Sequence, residues 1–327
     1  MRAVVISRHG GPEELVVEDI TVPSPKPDEV LVEVDTAGVN YIDVYHRSGL
    51  YETPVPFTPG REGAGVVREV GADVSTLRVG DRVAWASGVM GSYAQFAVLP
   101  GWRAVPVPDS LSLRTAGGAI LQGMTAHYLA NSVFVAGPDH IALVHAAAGG
   151  TGALLVQLLA AKGTTVLATA STPEKLRIAT ELGATAAVPY EDAEEMVREH
   201  TKGQGVHVSY DGVGRATFDS SLRSTRERGT VVSYGSASGP VPPVDPLTLM
   251  NQGALYLTRP TLVPSYVRDR EELTWRSGEI FGSIADGSLK VTMWGSFPLD
   301  RAAEAHRSLE ARRATGKIVL TPTEETA

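Results

Sequence analysis

The residues whose types and spacing most resemble a working part lie at 141–152: Ile141-Ala142-Leu143-Val144-His145-Ala146-Ala147-Ala148-Gly149-Gly150-Thr151-Gly152. An apolar run feeds a turn of small residues and then the apolar stretch 153–161, which is the order strand, tight turn, helix. Gly149 lets the backbone approach a pyrophosphate closely, and Gly152 permits tight packing of helix on strand. The helix N-terminus offers N–H groups that have no partner within the helix. Ala147 stands where a G-x-G-x-x-G fingerprint has its first glycine, so the pattern is incomplete. Two readings stand on the loop alone: a dinucleotide-binding turn, or a tight turn of any α/β domain. No Gly-Lys-Ser/Thr follows, which argues against a P-loop.

The next apolar run, 165–170, ends in Ser171-Thr172-Pro173-Glu174-Lys175, with no acid at its end. A carboxylate there accepts from the ribose hydroxyls of NAD and would repel a 2′-phosphate. Ser171 and Lys175 can instead bond to that phosphate, which favours NADP. A plainer account is also open: Ser171 caps a helix, Glu174 completes a capping box, and Lys175 is a solvated surface lysine.

The elements that must carry these residues follow from periodicity. Short apolar or alternating runs over 3–6, 15–18, 29–34, 63–70, 83–86 and 93–98, separated by Gly/Pro turns, read as a compact barrel-like β domain. Beyond residue 116 the pattern changes. Helices are expected over 116–134, 151–161, 173–182 and 193–201, and strands over 141–145, 165–170, 186–189, 206–210 and 229–234. Strands spaced by helices are the signature of βαβ units and a parallel sheet. A further strand over 255–258, helices over 270–285 and 300–312, and a closing strand over 317–320 complete the chain, with a polar tail over 323–327 expected to fray. The stretch 223–229 reads as a charged turn.

Composition narrows the chemistry. The 327 residues suit about two domains. With no cysteine, disulfides, Cys-based zinc, Fe–S clusters and thiol catalysis are excluded. The formal charge of −8 argues against a nucleic-acid partner. Neither a signal peptide nor an apolar run of membrane length is expected, which points to a cytoplasmic protein without a membrane partner.

Several motifs together resemble the quinone oxidoreductase (zeta-crystallin-like) family of the zinc-independent medium-chain dehydrogenase/reductase superfamily. They are Ala37-Gly38-Val39-Asn40-Tyr41-Ile42-Asp43, Gly49-Leu50-Tyr51, Pro59-Gly60-Arg61-Glu62-Gly63-Ala64-Gly65, Val79-Gly80-Asp81-Arg82-Val83, the turn at 146–152, Tyr210-Asp211-Gly212-Val213-Gly214, Arg259-Pro260 and Gly316-Lys317-Ile318-Val319-Leu320. The resemblance covers nearly the whole chain, and Ala147 is ordinary within it. It implies an α/β fold: a GroES-like β-barrel-type domain over 1–124 and 262–327, and a Rossmann doubly wound parallel-sheet domain over 125–261. NADPH is then expected between them, and the late Rossmann strand over 255–258 is expected to pair across a homodimer, which would cover its exposed edge.

Residue by residue, the resemblance places Asn40, Asp43, Tyr45 and Tyr51 at the nicotinamide and acceptor. It places Ala148, Gly149, Gly150, Thr151, Gly152, Ser171, Lys175, Tyr190, Gly235, Arg312 and Lys317 around the cofactor. Asn40 and Arg61 stand where zinc-dependent relatives carry metal ligands; an always-charged guanidinium cannot ligate a cation, so no metal is expected. Glu62 and Asp43 are expected in hydrogen bonds, Arg47 at a surface or domain contact, and His127, His145 and His306 in structural roles. The implied activity is NADPH-dependent quinone reduction, in which Tyr45 or Tyr51 lines the face of the acceptor and Asn40 donates to its oxygen. Reduction of activated C=C bonds in enones or enals is the alternative enzyme. An NADPH-binding protein without catalysis is the alternative outside enzymology.

Overall fold

A computed structural model describes residues 1–86 and 88–323, so 324–327 of the expected frayed tail lie outside the described residues. The chain forms two compact units. The first is Met1–Met124 joined by the segment that begins at Val267; the second is Thr125–Tyr266.

The first unit opens with β1 (Arg2–Val5) and β2 (Val16–Asp19), a small antiparallel pair. Its main sheet uses β3 (Glu29–Val39), β4 (Glu62–Val70), β5 (Arg82–Ala86), β6 (Phe96–Pro100) and β7 (Val105–Pro106). The alternation read in the sequence works as expected: Val30, Val32 and Val34 are fully buried, and they pack with Ile6, Trp85 and Leu99. That common apolar face is the main source of this unit's stability. The long β3 pairs with β4 and β6, and between Val34 and Thr36 its register against β4 shifts. After β3 comes a helix that the sequence reading missed, α1 (Tyr41–Arg47). It is short and its amphipathic pattern is weak. Its start is nevertheless specified, because Asn40 N–H donates to Asp43 Oδ2 at 2.9 Å, one half of a capping box. The helix α2 (Leu113–Tyr128) begins three residues before the expected start and ends in one wider turn, Leu129–Val133.

The second unit alternates strand and helix: β8 (Ile141–Val144), α3 (Gly150–Ala161), β9 (Thr165–Thr169), α4 (Pro173–Glu181), β10 (Ala186–Val188), α5 (Ala193–Thr201), β11 (Val206–Asp211), α6 (Phe218–Ser224), β12 (Thr225–Ser233), α7 (Pro246–Asn251) and β13 (Tyr256–Thr258). The six strands are parallel in the order β10-β9-β8-β11-β12-β13, so the first strand of the unit lies inside and the order reverses between β8 and β11. This is the doubly wound order of a Rossmann sheet, whose ligands bind at the carboxyl ends of the strands beside the reversal. Leu143, Leu167, Met196, Val197 and Val206 form one core, and Phe218, Leu222, Val231 and Leu255 form another.

The charged stretch 223–229 is not a turn. Thr225 already pairs with Val206, and β12 runs through Arg226 and Arg228 with a register shift and a left-handed residue at Arg228 (φ 54°). Their charges read as a loop because this end of the strand is exposed. Helices α6 and α7 were also missed, being only 7 and 6 residues long.

From Val267 onward the chain returns to the first unit with α8 (Arg270–Ala285), β14 (Met293–Pro298), α9 (Ala302–Glu310) and β15 (Lys317–Thr321). Strand β14 was missed because Trp294-Gly295-Ser296 breaks the apolar alternation. Strand β15 pairs antiparallel with β3, Ile318 opposite Val39 and Leu320 opposite Ala37. That register sets Lys317 beside Asn40. Among the described residues no helix is long and apolar enough to cross a membrane.

The cap of α4 differs from the expected one. Thr172, not Ser171, is the N-cap, and its Oγ1 accepts from Lys175 N at 3.2 Å; Ser171 is exposed one residue outside. The Ser171/Glu174 box is therefore one residue out of register. Thr172→Ala should cost about 1 kcal/mol in urea unfolding and Ser171→Ala close to nothing. Equal losses in the two variants would contradict this cap.

Candidate active site

Asn40, at the junction of β3 and α1, is buried, and each polar atom of its side chain is occupied. Its Nδ2 donates to Glu62 Oε2 at 2.8 Å and to Gly38 O at 3.3 Å. Its Oδ1 accepts from Lys317 Nζ at 2.8 Å and from Gln122 Nε2 at 3.1 Å. Lys317 Nζ also reaches Glu62 Oε2 at 2.5 Å, and Leu121 N donates to Glu62 Oε1 at 2.7 Å. Both members of the Lys317–Glu62 pair are essentially solvent-free. Gly38 makes room for this cluster: a Cβ there would lie 2.0 Å from Glu62 Oε2.

A second chain of hydrogen bonds ends on Asp43, which is buried within α1. Tyr93 Oη donates to Asp43 Oδ2 at 3.2 Å and lies 3.1 Å from His306 Nε2. His306 Nδ1 faces Arg47 Nη1 at 3.0 Å, and Arg47 forks onto Glu310 at 3.0 and 2.8 Å. Arg47 can only donate, so His306 Nδ1 carries the lone pair and Nε2 the proton, which goes to Tyr93. Arg47 is thus buried in an ion pair and is not the surface or domain-contact residue expected from sequence. Burial, with Arg47 beside it, holds His306 down at about 3. Burial pushes Asp43 up to about 7 against the opposing pull of the Asn40 amide, Lys317 and Tyr93.

The aromatic residues of α1 and the turn after it meet. The Tyr45 and Tyr51 rings lie 5.2 Å apart, tilted by 60°, and His46 meets Tyr51 edge-on at 5.6 Å. Tyr45 is buried and Tyr51 half-buried. Arg61 Nη1 donates to His46 Nε2 at 2.8 Å, which leaves Nδ1–H to donate to Thr53 Oγ1 at 2.6 Å. Burial and the Arg61 charge hold His46 down at about 4.

In the second unit the turn after β8 is built from small residues. Ala146 takes the left-handed conformation (φ 53°), and Ala147, where the first glycine was expected, is buried with N–H to Thr169 O at 3.0 Å. Ala148 is buried beside it. Gly149 is the N-cap of α3 and supplies no side-chain cap; the first helical hydrogen bond runs from Ala153 N to Gly149 O at 2.8 Å. The amides of Gly150, Thr151 and Gly152 therefore have no partner in the helix. A Cβ on Gly152 would lie 2.3 Å from Ala146 O, so only glycine lets α3 pack this close to the turn. A bare helix N-terminus behind a small-residue turn fits the pyrophosphate of a dinucleotide.

The remaining expected cofactor residues are dispersed. Lys175 is half-buried on the first turn of α4, and Ser171 is exposed at the end of β9. The Tyr190 ring lies 6.1 Å from that of His145, whose Nδ1 meets Thr169 Oγ1 at 2.8 Å. Gly235 follows β12 and its carbonyl accepts from Arg259 Nη1 at 2.9 Å. In the first unit, Arg312 is exposed after α9, and its charge pulls against the burial that raises the Tyr41 phenol. Lys317 sits in the Asn40–Glu62 cluster. Asp211 is held by Val213 N, Gly214 N, Thr217 and Ser221, and so fixes the turn at 211–214. Gln122, Tyr93 and Thr53 were missed. Each reaches its partner through tertiary structure, and no spacing in the sequence announces it.

Among the described residues no group of three or more His, Asp or Glu is arranged to hold a metal ion. Residues 26–109 match the family described as alcohol dehydrogenase GroES-like domain, and residues 150–278 match zinc-binding dehydrogenase. With the barrel-type unit and the Rossmann sheet, these matches define a medium-chain dehydrogenase/reductase. The quinone oxidoreductase of Pseudomonas aeruginosa is 40% identical over 98% of this chain and 99% of its own length. A 2-haloacrylate reductase of Burkholderia sp is 38% identical over 98% of each. The solved Escherichia coli quinone oxidoreductase complexed with NADPH superposes with a TM-score of 0.96 at 38% identity, covering 98% of this chain and 100% of that one. The chain belongs to the zinc-independent quinone oxidoreductase family.

The buried titrating groups oppose one another. Asp43, about 7 when folded against an ordinary 3.8, keeps its proton in the fold, so its contribution to stability declines as pH rises through that window. His306 and His46, at about 3 and about 4 against 6.5, refuse protons that the unfolded chain takes up, so their contributions grow as pH rises towards 6.5. Asp43→Asn removes the opposing slope. Its unfolding free energy should climb more steeply than wild type between about pH 4.5 and 6.5, by about 1.4 kcal/mol per pH unit. Parallel curves would place the Asp43 carboxyl in its ordinary range.

Proposed function

We propose that this enzyme reduces quinone-like acceptors with NADPH and without a metal. The observation that carries the cofactor choice is the pairing of the bare α3 N-terminus with a β9 that ends at Thr169 and is followed by Ala170 and Ser171. No carboxylate stands there to repel a 2′-phosphate. In this reading Gly149, Gly150, Thr151 and Gly152 hold the pyrophosphate. Ser171 and Lys175 meet the 2′-phosphate, and Tyr190 borders the adenosine. Bound NADPH supplies the hydride.

The chain's own task is positioning and charge. Tyr45 and Tyr51 form the wall against which a flat acceptor packs, and Tyr51, the more open of the two, donates to the oxygen that gains charge. Asn40 is a positioning residue here. Its two amide hydrogens already go to Glu62 and Gly38, so it orders the start of α1 instead of donating to the acceptor. Asp43 supports the same start through the Asn40 amide. Reduction of activated C=C bonds is the second reading, favoured by the similarity to the Burkholderia 2-haloacrylate reductase.

Titration with NADPH and NADH should show NADPH binding at least tenfold more tightly, and Lys175→Ala should erase most of that preference. NADPH oxidation with a small para-quinone and with a simple enone in parallel should proceed faster with the quinone. A faster enone would overturn the acceptor assignment and leave the cofactor assignment standing.

The working form is proposed to be a cytoplasmic homodimer. Strand β13 has a partner on one side only, β12, and Tyr256 on it is 64% exposed. An open edge of this kind is a template for pairing with a second copy. Light scattering on the eluting protein should report twice the chain mass, and Leu257→Pro, which removes a donor from the edge strand, should shift it to the monomer. A monomeric wild type would remove this proposal.

A further inference from the structure

Arg61 directly precedes β4 and is half-buried, yet among the described residues it forms no salt bridge. Its Nη1 donates to His46. Its Nε is buried without a partner, and its Nη2 makes no hydrogen bond to the protein. Among the described residues no carboxylate comes within ion-pairing distance of it. Arg47 shows the contrast, being equally committed to α1 but forked onto Glu310.

A partly desolvated guanidinium without an anion in contact is costly, and no neighbour bonds it with a charge. His46 offers a lone pair and no charge, and its other nitrogen is tied to Thr53, whose hydroxyl donates to Tyr51 O at 3.2 Å. Asp43 attracts Arg61 but no hydrogen bond joins them: its Oδ2 is taken by the Asn40 amide and Tyr93, and its Oδ1 is buried without a partner. Arg103 adds positive charge; burial and then Arg61 pull its affinity for a proton down. Of the two unused donors, Nε is sealed from solvent and Nη2 is not, so Nη2 is the N–H that first meets a carboxylate, with Nε beside it completing the side edge of the guanidinium. The guanidinium reaches through Nη1 to His46, whose ring meets that of Tyr51 in the wall assigned above to the acceptor.

We propose that Arg61 is the anchor of an anion subsite that receives a carboxylate carried by the acceptor, so that the enzyme prefers carboxylate-bearing acceptors to neutral ones. The substrate half of this inference rests on the reductase reading; the anion half does not. For an α,β-unsaturated carboxylate the balance is simple. NADPH gives a hydride to the β-carbon, the C=C pair takes a proton from solvent at the α-carbon, and NADP⁺ leaves. The carboxylate stays unreacted on Arg61.

The test uses the full chain in three forms: wild type, Arg61→Gln and Arg61→Lys. Calorimetric titration with benzoate should show binding to wild type, at least tenfold weaker binding to R61Q, and intermediate binding to R61K. Titration with inorganic phosphate separates a carboxylate site from a general anion site; phosphate binding more tightly than benzoate would overturn the carboxylate assignment. Turnover is then compared for a carboxylate-bearing para-quinone and its methyl ester. The ratio of their kcat/KM values should favour the acid in wild type and fall at least tenfold in R61Q, mainly through KM. Equal benzoate affinity in wild type and R61Q, or an unchanged ratio, would overturn the subsite. Arg61-dependent benzoate binding with neither quinone reduced would keep the subsite and remove the reductase reading. R61K guards against simple misfolding, since it retains the charge and should recover part of the binding.

Discussion

The ion pair between Lys317 and Glu62 is the constraint on which the first unit depends. Both side chains are removed from water. Desolvating two charges costs more than their attraction returns unless every remaining lone pair and proton is also used. Here most of them are used: Leu121 N and the Asn40 amide complete Glu62, and Lys317 gives two of its three protons, one to Glu62 and one to Asn40 Oδ1. Removing either charge alone would strand the other, a loss of about 3–5 kcal/mol. The pair ties three things together: the register of β15 on β3, the middle of α2 at Leu121, and the Asn40 side chain at the start of α1.

The second polar chain shows how direction is stored in a network. Arg47 has no acceptor atoms, so His306 must turn its lone pair to it, its proton to Tyr93, and Tyr93 its proton to Asp43. His46 is ordered the same way by Arg61, with its proton sent to Thr53. Two guanidiniums thus set two imidazole tautomers. Both histidines stay neutral near physiological pH for the same reason, since burial and an adjacent fixed cation disfavour a second charge.

What was legible in the sequence follows from range. The Rossmann sheet is written in local terms, apolar runs alternating with helices, and the turn at 146–152 specifies its own geometry. The site in the first unit is not local: Asn40 meets Gln122 and Lys317, and Tyr93 meets Asp43 and His306. Periodicity found most of the strands, though not β14, and none of these pairings; Arg47, expected at a surface or domain contact, is buried by tertiary contacts. Helix α1 escaped because seven residues are too few for a clear period, although Asn40 and Asp43 carried its capping signature. The error at Ser171 was of another kind. Two adjacent hydroxyls competed for one cap, and Pro173, which suits the first helical position, is what assigns it to Thr172.

The pairing of β15 with β3 has a consequence for biosynthesis. The ribosome makes Glu62 early and Lys317 some 255 residues later. The second unit, by contrast, is continuous over Thr125–Tyr266 and can close on itself as soon as it has emerged. The N-terminal unit, which in many proteins folds first, therefore cannot be completed until the second unit has been made. During that interval β3 lacks one neighbour and Glu62 lacks its cation, so the unfinished barrel exposes an unpaired strand at the residues that later form the site.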